Sequence, residues 1–121
     1  MEWKFANDTP IYTQLVEQIK IAIVTGAYAA GERLPSVRDM AAEAGVNPNT
    51  LQRAFAELER QGLVYSQRTA GRMVTEDAAV IHEARQQLAR RHIQAFRAAM
   101  GALGLEKDEI IDLLRQEEGD I

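Results

Sequence analysis

The chain contains no cysteine. That excludes a disulfide, a thiol nucleophile and a cysteine-based zinc site. No apolar run is long enough to span a bilayer. Met1, Glu2, Trp3 and Lys4 are not followed by the apolar stretch of a signal peptide. No membrane partner is therefore expected, and the expected location is cytoplasmic. Internal repeats and low-complexity segments are missing too. His82 and His92 are not spaced to share a helix face, so they read as exposed helix residues rather than a metal pair. No Ser/His/Asp or paired-carboxylate constellation stands out, which argues against an enzyme. No metal and no cofactor is expected.

Positive charge is not in excess either. The net charge of −4 argues at first against nucleic acid. Its distribution changes that reading. Up to Thr75 there are eight basic and eight acidic residues; from Glu76 onward there are six basic and ten acidic. A neutral front can present a basic face, while the acidic back should point away from DNA.

With 121 residues and 46% hydrophobic content, the chain is one domain, or one small domain with an appendage. Its organising stretch is 47–61, NPNTLQRAFAELERQ. Asn47 is a good N-cap and Pro48 suits the first helical position. Leu51, Ala54, Phe55 and Leu58 follow at the spacing of a buried helix face, and Gly62 ends the run. The other face carries Asn49, Gln52, Arg53, Ala56 and Arg60. Asn and Gln can pair bidentately with adenine edges, and Arg with guanine or phosphate. An ordinary solvated polar face is the alternative, so the flanks must decide.

Before it, Thr9 and Pro10 open a first helix as N-cap and first helical residue, with Ile11, Leu15, Val16, Ile19, Ala22 and Ile23 as its stripe. Trp3 and Phe5 are placed to pack back from an irregular lead-in. The segment 26–36 reads as a turn region with Tyr28 and Leu34 as apolar plugs. Ser36 starts a second helix, with Asp39 in place of the usual Glu of a capping box. Val37, Met40, Ala41 and Ala44 face inward, and Gly45 turns the chain into Val46 and Asn47. Two helices joined by a short Gly-containing turn are the helix-turn-helix pattern.

Behind it, 63–66 and 72–75 read as strands around a 67–71 turn, a hairpin wing. A long helix follows, with Val80, Ile81, Ala84, Leu88, Ile93, Phe96, Met100 and Leu103 near three-and-four spacing. A last helix spans 106–117, with Ile110, Ile111, Leu113 and Leu114 apolar. Acidic residues crowding its start complement the helix dipole.

These residues together resemble the GntR family of bacterial transcription regulators. The resemblance is carried by PIYTQLVEQI, by GAYAAGERLPSVRDMAAEAGVNPNTLQRAFAELERQGLVYSQR and by GRMV, covering 10–74. The short helical tail looks like the YtrA-type branch. The resemblance implies a mainly α fold with a β-hairpin wing: a winged helix-turn-helix over 1–75 and a two-helix dimerisation tail over 76–121. It implies a homodimeric regulator of double-stranded DNA, usually a repressor, often of transporter operons. Carried over residue by residue, the DNA-binding positions are Arg38, Asn47, Asn49, Thr50, Gln52, Arg53, Arg68, Gly71 and Arg72. Asn47 can be only a cap, and Arg53 can instead pair with Glu57. Many relatives have Arg where this chain has Pro48 and Gln52, so base preference should differ. The family wing reads Gly-basic-Gly; Thr69-Ala70-Gly71 lacks one glycine and one basic residue, with Arg68 and Arg72 alongside. The expected dimer interface is Ile81, Ala84, Leu88, Ile93, Phe96, Met100, Leu103, Ile110 and Leu114. A small-molecule effector would have room only at that interface or between tail and DNA-binding domain. Relatives fused to an aminotransferase-like domain are much longer than this chain. The competing reading is a protein-interaction module that has lost specific DNA binding.

Overall fold

The computed structural model describes residues 1–117. Five helices and a hairpin follow in order: α1 Ile11–Val24, α2 Val37–Ala44, α3 Pro48–Arg60, β1 Val64–Gln67, β2 Gly71–Val74, α4 Ala78–Ala102 and α5 Lys107–Gln116. They form two compact units, Met1–Arg85 and Gln86–Ile121. Among the described residues no helix is long and apolar enough to cross a membrane.

The core of the first unit follows from the helical stripes. Leu15 and Ile19 of α1 meet Leu51, Ala54, Phe55 and Leu58 of α3, all with no solvent exposure. Met40 and Ala41 bring the inner face of α2 into the same core, and Leu34, Leu63, Val64 and Val74 close it from the sheet side. Burying each such large side chain contributes roughly 1.5–3 kcal/mol relative to leaving it exposed.

Pro10 occupies the N-cap position rather than the first helical one, because its ψ of 142° is extended. Thr9 therefore does not cap the helix. Two glutamine amides of α1 hold the lead-in instead. Gln14 accepts from Ala6 N at 2.7 Å and donates to the carbonyls of Ala6 and Thr9. Gln18 accepts from Lys4 N and donates to its carbonyl at 2.7 Å. Trp3 does pack back: its indole stacks on Phe5 and donates to Glu43 of α2 at 2.9 Å.

The wing is more than the expected hairpin. β1 and β2 pair antiparallel, Val64 opposite Val74 and Gln67 opposite Gly71. The free side of β2 is taken by residues 31–34, which read from sequence as turn. Gly31 N donates to Val74 O at 3.0 Å, Val74 N to Glu32 O at 2.9 Å, and Leu34 N to Arg72 O at 2.9 Å. Leu34 is the plug it was expected to be, 3% exposed. Tyr28 is half-buried, and burial first, then the nearby carboxylates of Glu43 and Glu32, push its phenol above the ordinary value.

The first unit runs past residue 75 into α4. Asp77 Oδ1 accepts from Ala79 N at 3.0 Å, Ala84 is buried, and Arg85 Nη2 donates to the Val24 carbonyl at 2.6 Å. A guanidinium on the last carbonyls of α1 satisfies an acceptor the helix itself leaves open. The second unit pairs the later part of α4 with α5 through a turn at Gly104. There Glu106 N donates to Glu109 Oε1 at 3.1 Å, one half of a capping box.

Candidate nucleic-acid interface

The turn between α2 and α3 is built from local signals. Ser36 Oγ accepts from Asp39 N at 3.0 Å and so caps α2. Gly45 ends α2 at φ +68°, a left-handed conformation that other residues adopt only at a cost of about 1–2 kcal/mol. Val46 N then bonds Ala41 O at 3.0 Å. Asn47 Oδ1 accepts from Asn49 N at 2.8 Å, which starts α3 directly behind the turn. Asn47 is thus committed as a cap through the oxygen that would otherwise read a base.

The remaining expected contacts fall into two groups. Asn49 and Gln52 are exposed on the first half of α3, with Thr50 half-buried beside them. Arg38 on α2 and Arg68 at the hairpin tip are exposed, and neither has a hydrogen bond or ion pair among the described residues. Asn49, Thr50, Arg38 and Arg68 have no side-chain partner among the described residues, while the Gln52 oxygen accepts from Arg72 Nη1 at 3.5 Å. Gly71 supplies the φ of +84° that begins β2.

The other group is tied into the fold. Arg53 does not pair with Glu57; its guanidinium carbon lies 4.7 Å from the centre of the Tyr12 ring. Glu57 is taken instead by Arg60, by Gln61 Nε2 at 2.8 Å and by the Tyr12 hydroxyl at 3.4 Å. The Arg60 hydrogen bond, then that from Gln61, holds the Glu57 carboxyl below its ordinary value. Arg72 is drawn inward. Its guanidinium carbon lies 4.9 Å from the centre of the Phe55 ring, and its Nε donates to Glu59 Oε1 at 2.8 Å. That bond, ahead of the one from Ser66, lowers the Glu59 pKa. Tyr12 and Glu59 carry no motif, and sequence reasoning missed both; only the packing of α1 and the wing on α3 brings them to the site. Arg33 was missed as well. It is exposed, and its Nε lies 3.8 Å from where a Cβ on Gly71 would stand.

Of the expected dimer residues, Ala84 and Leu88 are already covered, at 7% and 5% exposure. Ile81, Met100 and Ile110 are half-buried. Ile93, Phe96, Leu103 and Leu114 are 54%, 39%, 71% and 46% exposed. Within the second unit an apolar groove of about 770 Å³ runs between α4 and α5, lined by Ile93, Phe96, Gly101, Ile110 and Leu114 among others.

Three helices with a glycine turn between the second and third, followed by a hairpin packed on the third, define a winged helix-turn-helix DNA-binding protein. The chain belongs to the gntR family of bacterial regulatory proteins, whose family model matches residues 11–74. Two relatives from Bacillus subtilis match over nearly the whole chain. The uncharacterized HTH-type transcriptional regulator YhcF is 38% identical, covering 93% of both chains. The HTH-type transcriptional repressor YtrA is 28% identical, covering 95% of this chain and 89% of its own. A GntR family transcriptional regulator from Listeria monocytogenes has the same fold: TM-score 0.86, 40% identity, 94% of this chain and all of that one. The expected family, branch and fold class hold, and the protein is a DNA-binding transcriptional regulator.

Proposed function

We propose that the protein is a homodimeric repressor that binds an inverted-repeat operator through α3, with the wing and Arg38 on the flanking backbone. The observation that carries this reading is the contrast on one unit. Asn49, Thr50 and Gln52 stand on the outer face of α3, while Arg38 and Arg68 have no partner among the described residues, in a chain of net negative charge. Guanidinium groups without internal partners suit phosphate oxygens, and short amides on an inserted helix suit base edges. The segment 1–75 carries this interface, and the tail over 76–121 holds the dimer. A second copy is the occupant we assign to the α4–α5 groove. Ile93 and Phe96 of α4 and Leu114 of α5 line it, exposed Leu103 follows in the turn, and two helices cannot enclose a core of their own. In a two-fold pair the same patch meets itself. Repression is favoured by the name of the YtrA relative. Control of a transporter operon and a cytoplasmic location complete the reading, and a small-molecule effector would have to sit at or beside the dimer interface.

The test is binding to operators selected from random duplexes, with sedimentation run in parallel. Affinity should fall steeply with salt, by nearly one unit of log–log slope per neutralised phosphate. Phe96→Asp with Leu103→Asp should give a monomer that loses roughly 10²–10⁴ in affinity for a full operator and little for a half-site. A flat salt response, or a double variant that still sediments as a dimer, would overturn the DNA reading or the placement of the interface respectively. Equal affinity for all duplexes with a dimeric tail would favour the interaction-module alternative.

A further inference from the structure

The wing touches the recognition helix through Arg72, and the contact reaches a base-reading side chain. Glu59 Oε1 accepts from Arg72 Nε at 2.8 Å and from Ser66 Oγ at 2.8 Å, so helix, β1 and β2 meet at one oxygen. The Phe55 ring supports the guanidinium from below. Held in this way, Arg72 Nη1 lies 3.5 Å from Gln52 Oε1, the long end of a hydrogen bond. A guanidinium has donors and no acceptor. The amide of Gln52 therefore turns its oxygen to Arg72, and its two N–H donors have no partner among the described residues.

That orientation matters for readout. A glutamine reads adenine by accepting from N6 and donating to N7 at once, whereas guanine offers the two acceptors N7 and O6. We propose that Arg72 is a positioning residue that determines specificity: by drawing the Gln52 oxygen toward the wing it leaves the two N–H donors to meet the base, so that Gln52 selects guanine over adenine. This rests on the reading that Gln52 faces base edges.

The experiment uses the full chain and random duplex pools, with wild type, Gln52→Ala and Arg72→Met. Gln52→Ala identifies the base position that Gln52 reads, because selection there is lost. At that position wild type should prefer guanine over adenine by about tenfold, within the range of one good base contact. Arg72→Met keeps an unbranched side chain and removes every donor, and it should shift the preference to adenine. Adenine in the wild-type sites at that position overturns the proposal without any Arg72 variant. An unchanged guanine preference in Arg72→Met, with all sequences weakened alike, also overturns it and makes Arg72 a wing anchor only. If Arg72→Met fails to melt cooperatively, Arg72→Leu, which likewise removes every donor, replaces it under the same criteria. If Gln52→Ala alters no position, the base-edge reading itself fails, and this inference falls with it.

Discussion

Arg53 of the recognition helix lies over the ring of Tyr12 in α1, its guanidinium carbon 4.7 Å from the ring centre, while the hydroxyl of the same tyrosine reaches Glu57 one helical turn on. One aromatic side chain thus holds two positions of α3. The arrangement fixes the direction in which Arg53 can present its remaining N–H groups. Tyr12→Leu should keep the apolar contact and remove both polar ones. A cation–π pair at a partly exposed site is worth about 0.5–1 kcal/mol. The expected outcome is a lower melting temperature by a few degrees and roughly a two- to fivefold loss in DNA affinity. Unchanged binding despite the lower melting temperature would show that Arg53 does not touch DNA.

Arg38 and Gln52 should separate affinity from specificity. Arg38→Ala should weaken binding to a selected operator and to a scrambled duplex alike, and lower the salt slope by about one. Gln52→Ala should change the ratio of the two affinities, by about 1–3 kcal/mol. Both residues are exposed, so neither variant should change the melting temperature much. An unaltered ratio in Gln52→Ala places that residue away from the bases.

Glu59 makes the attachment of the wing sensitive to acid. Its carboxyl is held below the ordinary value, first by the hydrogen bond from Arg72. A group whose folded pKa is depressed stabilises the fold above its unfolded pKa and loses that contribution as pH falls through the folded one. Wild type should therefore melt above Glu59→Gln at pH 7, by the equivalent of about 1 kcal/mol or less for a partly exposed pair. The gap should close below about pH 4. Glu57 and Arg60 are present in both proteins and cancel from the comparison. A gap that did not narrow at all as pH fell through the acid range would assign the difference to packing rather than charge.

A fragment of residues 1–85 should melt well above one of residues 1–75. The shorter piece lacks Ala84 and leaves the Val24 carbonyl without the Arg85 guanidinium. Loss of a hydrogen bond to a charged group costs about 1.5–3 kcal/mol, a large share of the stability of a small domain. Equal melting temperatures for the two fragments would show that the start of α4 is only a spacer.

The elements that were legible in the sequence are those whose causes are local. Asn47, Pro48 and the spacing of Leu51, Ala54, Phe55 and Leu58 specify α3 within a few residues of chain, and Gly45 with Ser36 does the same for α2. The hairpin strands were displaced by one residue, because the turn needs only 68–70. The pairing of residues 31–34 with β2 was not legible. The segment shows no alternation, and its partner, β2, is remote in sequence. The proposed DNA-facing set was carried over from the family pattern, beside the polar face of α3 that helical spacing alone supplies. What the pattern could not supply is which charges are free. Arg53 and Arg72 look like Arg38 and Arg68 on paper; a tyrosine and a glutamate from other elements make the difference.

The pairing of residues 31–34 with β2 has a consequence for how this chain can vary in length. Leu34 is bonded to the wing through the Arg72 carbonyl, and just beyond it Ser36 already caps α2. Pro35 alone separates the two anchors, so this short piece acts as a ruler between wing and helix. A residue inserted there has no slack to occupy. It must either slide 31–34 along β2, turning Leu34 out of the core, or rotate α2 by about 100° and carry Arg38 to another side of the domain. The exposed stretch at 25–27 has no such duty, and lengthening it should leave both anchors in register.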